Sequence, residues 1–435
     1  MNYISIITKS IIILTFSFFV VSNSYCQIAE IPSSFNPTGS GARALGINAF
    51  IAIVDDSTAA SWNPGGLVGQ KKKFEFSLVS GWVHRIEKND FLYHPEASSK
   101  NSIDKSDINF VGVNSTFNKY SYNMSIALTY QHLYDFYREW KFNYIFNSNN
   151  SLYNTNYNYF QTGRLSALGL SYCIEILRPE LLLGFTLNIW DNDISPNKWT
   201  QSYNEIKLKN KNNNVTLSRY EHTEEFTFKG INYNFGLLWR INDEFRIGAV
   251  LKTPFKADID YRIYSPEYTD IINNKIHKDY LYMPMSYGFG FVYYINDNFQ
   301  ISSDFYKTQW DHFIYRKENG AEHSPISGLE ISKSNVKPTY HIRTGAEYVI
   351  VNKMKEYAIA FRGGLFYDPS PSEGCPDKFL GFSLGIGLTL KDMFSLDLAY
   401  QYRYGNNVAS STLIYNNFSQ DVYEDKLYFS TTLYF

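Results

Sequence analysis

From residue 71 onward the chain repeats one unit, a run of about ten residues with apolar and polar side chains in alternation, and the connections between runs are by turns long and short. No other property restricts the fold as much. The fourteen runs lie near 74–83, 108–117, 120–131, 165–174, 181–190, 231–241, 245–256, 285–295, 299–308, 340–349, 357–367, 379–390, 394–404 and 426–435. Alternation with a period of two is the pattern of a strand with one apolar and one polar face. In the thirteenth run Phe394, Leu396, Leu398, Tyr400 and Tyr402 share one face, and Ser395, Asp397, Ala399, Gln401 and Arg403 the other. A soluble sheet has the same alternation, so the connections decide. Tight turns are read at Asn118-Lys119, Asn242-Asp243, 296–298 and 391–393, and polar loops at 132–163, 191–229, 257–283, 309–339, 368–378 and 405–425. Long on one side and short on the other is the wiring of an outer-membrane barrel, and ten residues is the length of a tilted membrane strand. An even strand count returns both ends to one side. Closure also pairs every backbone group, as lipid requires. The expected fold is all-β: a 14-stranded antiparallel transmembrane barrel over residues 71–435.

Composition agrees. Aromatic residues make up 18% of the chain, with 37 Tyr and 33 Phe. Such rings suit the two interfaces between lipid and water. A mean hydropathy of −0.30 argues against a bundle of membrane helices. A net charge of −2 argues against nucleic acid as a general partner, because that binding draws on an excess of cations. Lys9 followed by the apolar run 11–21 reads as a targeting segment over 1–26, since eleven residues are too few to span a bilayer as a helix. Cleavage before Gln27 is the expected outcome, with lipidation of Cys26 as the alternative. Cys173 is expected near the rim with short turns and Cys375 in a long loop. The apolar band between them is about 25 Å tall, so no disulfide is expected.

Residues 27–70 are different. The stretch from Gly39 to Leu67 is rich in small residues and lacks strand patterning. It reads as a plug inside the barrel, with Gly41, Arg43, Gly46, Asp55, Asp56, Asn63 and Pro64 as its characteristic positions. Asp55 and Asp56 are expected to anchor it to barrel arginines, because the alternate carboxylates and closing Glu of a calcium loop are missing. Gly39, Gly41 and Gly46 have no preceding strand and form no dinucleotide fingerprint. The eight histidines show no metal-ligand spacing. Strand phase turns Arg240, Arg246, Lys252, Asp304, Arg343, Glu347, Arg362, Asp397 and Arg403 inward. They either meet a ligand carboxylate or pair among themselves. Tyr153, Tyr157, Tyr159 and Phe160 form either a capture groove or loop packing.

Four stretches carry a resemblance to a known family. They are Gly41-Ala-Arg-Ala-Leu-Gly46 with Val54-Asp-Asp-Ser-Thr-Ala-Ala-Ser-Trp-Asn-Pro-Gly-Gly-Leu67; 245–256; 283–290 continuing to Trp310-Asp-His-Phe313; and Arg362-Gly-Gly-Leu-Phe-Tyr-Asp-Pro-Ser-Pro371. In this order they resemble the FadL/OmpP1/TodX family of outer-membrane transporters for hydrophobic molecules. Asn63-Pro64-Gly65 stands where the family usually has Asn-Pro-Ala. The resemblance implies a 14-stranded barrel with an N-terminal hatch, a Gram-negative outer-membrane location and no cofactor, and the residues themselves show no motif for an enzyme or a metal site.

The same resemblance implies a function. Long-chain fatty acids or other hydrophobic compounds would be captured by the loops, held in an interior pocket and released past the hatch. Arg240, Arg246, Lys252, Arg343, Arg362 and Arg403 are the candidates for ligand contact in the lumen. Outer-membrane lipid would surround the barrel, and the terminal Leu-Tyr-Phe resembles the signal read by the outer-membrane assembly machinery. A non-transporting barrel that scaffolds or shuttles secreted proteins is the alternative. A plug disfavours an open pore for polar solutes.

Overall fold

A computed structural model describes residues 40–53, 55–69, 72–148, 151–177, 181–211, 214–265, 276–410 and 417–435. The targeting segment and residues 27–39 lie outside the described residues. Twenty strands follow in chain order: β1 (Phe74–Phe91), β2 (Ser99–Lys119), β3 (Tyr122–Asp135), β4 (Arg138–Ser148), β5 (Ser151–Leu177), β6 (Leu181–Trp190), β7 (Asn197–Lys211), β8 (Asn214–Arg240), β9 (Phe245–Lys252), β10 (Phe255–Tyr264), β11 (His277–Met283), β12 (Ser286–Asn296), β13 (Phe299–Thr308), β14 (Ile314–Arg316), β15 (Glu322–His323), β16 (Thr339–Asn352), β17 (Tyr357–Tyr367), β18 (Leu380–Leu390), β19 (Phe394–Val408) and β20 (Phe418–Tyr434).

Fourteen of them close into the antiparallel barrel. Each of β1, β2, β3, β5, β6, β8, β9, β12, β13, β16, β17, β18, β19 and β20 pairs with the next in that order. β20 then pairs with β1, from Glu75 opposite Tyr434 to Phe91 opposite Phe418. Closure therefore rests on the last strand, whose neighbour is the first. Alternation appears as expected: Leu384, Ile386, Phe361 and Leu365 are exposed on the outer wall, while Ser383, Gln401 and Arg403 are buried inside. A ring of exposed apolar side chains of this kind is stable only against hydrocarbon.

Two expectations are corrected. The described parts of the stretches 132–163, 191–229 and 257–283 are largely strand rather than polar loop. They continue the wall upward as a second tier, β4–β5–β7–β8–β10–β11–β14–β15 in spatial order. In residues 153–159 Asn alternates with Tyr and Thr, so a period of two persists there after the apolar outer face has ended. Tyr157 and Tyr159 turn inward to pack with Trp140, Phe142, Tyr203, Phe91 and Phe418, whereas Phe160 is exposed. The second correction concerns the first tight turn, which is at Tyr120 and Ser121, not at Asn118-Lys119. Both turn residues take positive φ, 54° and 69°, the backbone that a two-residue hairpin needs. Asn118 instead bonds across the strands to Asn123 at 3.0 Å. Both thiols are free: Cys173 is buried and Cys375 exposed.

Candidate functional site

The described part of the N-terminal segment lies within the barrel. Helix α1 (Ala42–Ile47) packs on β16 to β20, and the 3-10 turn Pro64–Gly69 packs on β3, β5, β6 and β8 on the far wall. Helix α1 ends at Asn48, whose positive φ of 65° stops the helix. The segment reaches the wall because the wall has no side chains there. A Cβ built on Gly345 would stand 1.7 Å from the carbonyl oxygen of Ile47; at Gly248 the distance to Ile51 O is 2.4 Å, and at Gly184 to Pro64 O it is 2.3 Å. These inward glycines form a bed for backbone.

Polar side chains then tie the segment down. Both Phe50 N and Ile51 N donate to Asp304 Oδ2, at 2.7 and 3.0 Å. Asn63 Nδ2 donates to the carbonyls of Ile51 and Leu237, at 2.5 and 3.0 Å. Ala42 N donates to Ser430 Oγ at 2.7 Å, and Ser57 N to Glu75 Oε1 at 2.6 Å. The anchoring by Asp55 and Asp56 to barrel arginines is not what is found. Asp55 pairs with Arg43 of the same segment, and Arg43 reaches Glu347 of the wall at 3.2 Å. Asp56 caps the turn Ser57–Ser61 by accepting from Thr58 N at 2.9 Å, and burial pushes its carboxyl up against that hydrogen bond. Across the contact between segment and wall the cation, Arg43, is the segment's and the carboxylate, Glu347, the barrel's.

Three of the six candidate cations are committed to carboxylates. Arg362 lies between Glu347 and Asp397, 2.5 Å from each. Arg343 is 2.9 Å from Asp368. Arg403 is stacked 3.7 Å from the Phe379 ring centre and bonds Ser370 Oγ at 3.2 Å and Asp368 O at 3.3 Å. His341 bridges Asp368 and Thr339, and Trp310 Nε1 donates to Thr339 Oγ1 at 2.9 Å. The series Thr339, His341, Asp368 has the order of a hydrolytic triad. Thr339, however, is fully buried with its hydroxyl engaged on both sides, so the series is a brace for the turn after β17. Burial would raise the Asp368 carboxyl, but Arg343, His341 and Arg403 hold it well below the ordinary carboxylate range. Arg240 and Arg246 face each other in register beside the short turn 241–244, at the rim.

Lys252 is different. Its ammonium lies 3.9 Å from the ring centre of Trp62, and among the described residues no carboxylate forms an ion pair with it. It lines an interior cavity of about 90 Å³ together with Trp62, Trp190, Trp310, Tyr134, Tyr306, Phe255, Asn188, Asn232 and Asn234. Trp62 forms the floor, with Phe50 at 4.2 Å and Tyr306 at 5.4 Å between ring centres. Above lies an apolar core that joins Leu133 of β3 and Trp190 of β6 to Trp199, Phe226, Ile259 and Met283 of the second tier and to Trp310 and Phe313 of the 309–338 connection. A wider open depression of about 530 Å³, around Gly163 and Ile194, lies on the outer wall away from the lumen. Of the candidate ligand residues, the cavity therefore brings in Lys252 alone. The tryptophans and asparagines were not singled out from the sequence. The usable signal was the inward phase of Asn188, Asn232 and Asn234 at facing positions of β6 and β8.

No family model and no curated protein matches this chain. Solved structures do. A Pseudomonas aeruginosa FadL homologue matches with a TM-score of 0.58 at 11% identity, over 91% of this chain and 98% of the other. The toluene transporter TbuX of Ralstonia pickettii matches with a TM-score of 0.55 at 14% identity, over 92% and 100%. The Pseudomonas putida toluene transporter TodX matches with a TM-score of 0.52 at 13% identity, over 91% and 98%. The chain shares their fold, that of an outer-membrane barrel of FadL type.

Proposed function

We propose that the protein resides in the outer membrane of a Gram-negative cell and admits hydrophobic or amphipathic small molecules by passive diffusion. The aromatic cavity in the lumen carries this reading, because it lies between a floor made by the N-terminal segment and the apolar core of the second tier. A solute would enter among the outer strands, rest in the cavity and leave when the segment shifts, so that the segment serves as the hatch. Fold likeness to a FadL homologue and to two toluene transporters supports the same reading. Apolar solutes suit such a route, since each CH₂ kept from water is worth about 0.8 kcal/mol. Long-chain fatty acids are the larger candidates, and the cavity of about 90 Å³ takes one only after the floor has moved.

The test is organic extraction of the purified, detergent-washed chain with mass spectrometry, together with uptake of labelled toluene and labelled palmitate into proteoliposomes. Saturable uptake of either compound above empty liposomes is expected. A second reading has its own observation, the eight-strand tier that stands above the barrel. If neither compound enters or binds, that tier becomes the functional surface, and the barrel is a scaffold for secreted proteins at the cell surface.

A further inference from the structure

We propose that the interior cavity selects a compact aromatic carboxylate of benzoate size, in preference to a hydrocarbon or a long-chain acid; this inference rests on the transport reading above. Three observations at one place carry it. The first is size. A cavity of about 90 Å³ is smaller than the roughly 150 Å³ of an apolar cavity that holds benzene, and far below the ordinary range for extended ligands, so a single small ring is the largest body it starts to accept. The second is charge. Lys252 brings an ammonium into the lumen, and among the described residues only the face of Trp62 meets it. Arg343, Arg362, Arg403 and Lys426, which also turn inward, have carboxylates. The third is polarity. Trp62 Nε1, a donor, is buried without a hydrogen-bond partner, its residue being 4% exposed, and Trp62 lines the cavity.

A hydrocarbon would leave the ammonium and the indole N–H unmatched inside the wall, where each unmatched group costs free energy. A carboxylate accepts from Lys252 and from Trp62 N–H. Its ring stacks among Trp190, Tyr306 and Phe255, where Trp190 and Phe255 already lie parallel, 6.1 Å apart and 17° off plane. A long-chain acid would satisfy Lys252 but would have to hold its tail outside the cavity.

The experiment uses the full chain in detergent and reads tryptophan fluorescence on titration with benzoate, toluene and palmitate, alongside Lys252→Met and Lys252→Arg. A heat-modifiable gel shift confirms that each variant is folded. Benzoate is expected to bind best. Lys252→Met should weaken benzoate about tenfold or more and leave toluene unchanged, since a charge-assisted hydrogen bond is lost. Lys252→Arg should restore most of the affinity. Toluene or palmitate binding at least as tightly as benzoate overturns this inference and leaves the transport reading standing. So does benzoate binding that is indifferent to Lys252→Met. Binding of none of the three overturns both.

Discussion

The ammonium of Lys252, a residue of the barrel wall, lies over the ring of Trp62, a residue of the segment that fills the lumen, 3.9 Å from its centre. One contact therefore joins the floor of the cavity to the wall and to the cation inside it. A cation over a tryptophan face is worth about 0.5–2 kcal/mol, more where water is excluded. Trp62→Ala is expected to remove that contact and the floor together. Hydrogen exchange should then rise across 48–63, and a small hydrophobic dye should enter proteoliposomes faster. Unchanged exchange would mean that Trp62 does not hold the segment.

The glycine bed gives a sharper test, because its control is next to it. Gly345→Ala places a Cβ against the Ile47 carbonyl, and the overpacking should cost about 1–3 kcal/mol. Gly363→Ala should cost nothing comparable, since its Cβ would meet no atom nearer than 3.8 Å. Limited trypsin digestion at Arg43 measures the difference: faster cleavage is expected in Gly345→Ala only.

Asp304 is the counterpart in hydrogen bonds. Its carboxylate takes two backbone N–H groups of the segment, and the bonds to such a charged group are worth about 1.5–3 kcal/mol each. Asp304→Ala should free Phe50 and Ile51 for amide exchange while the barrel stays resistant to heat. If exchange at those two amides does not change, the segment is held by packing alone.

Cys173 reports on the same event from the opposite wall. Its thiol donates to the carbonyl of Gly65 at 3.4 Å and is buried, whereas Cys375 is exposed. A maleimide should modify Cys375 and spare Cys173. In Gly184→Val, where the new side chain meets Pro64, both should react. Mass spectrometry of the two peptides reads the result.

The turn after β17 should respond to acid in a defined direction. Asp368 is held below its ordinary pKa, so its ionised form stabilises the fold above the unfolded value, and that stability disappears as pH falls through the lowered folded value. Asp368→Asn should therefore lower the melting temperature by a constant amount at neutral pH. The gap should begin to close only below about pH 4, the ordinary range of an aspartate. A gap that closes at higher pH would contradict the arrangement of Arg343, His341 and Arg403 around it.

The sequence by itself determined the phase of the wall. Leu398 faces out and Asp397 in because a strand alternates its side chains, and that is a local property of consecutive residues. The fourteen runs, the long and short connections and the presence of a non-strand stretch before them follow from the same local reading. Tertiary structure decided everything that depends on a neighbour distant in sequence. Arg362 was legible as inward, but its two carboxylates come from β16 and β19, fixed by registers that no single strand encodes. Lys252 was one of six equivalent cations until the fold set it over Trp62 in the cavity. Trp62 became a cavity floor only because inward glycines at Gly184, Gly248 and Gly345 let the segment lie flat against the wall. The Asn- and Tyr-rich stretches show the limit from the other side. Their alternation was readable, but polar residues on both faces give no apolar stripe to mark a strand. Only pairing with β5 and β8 made them one.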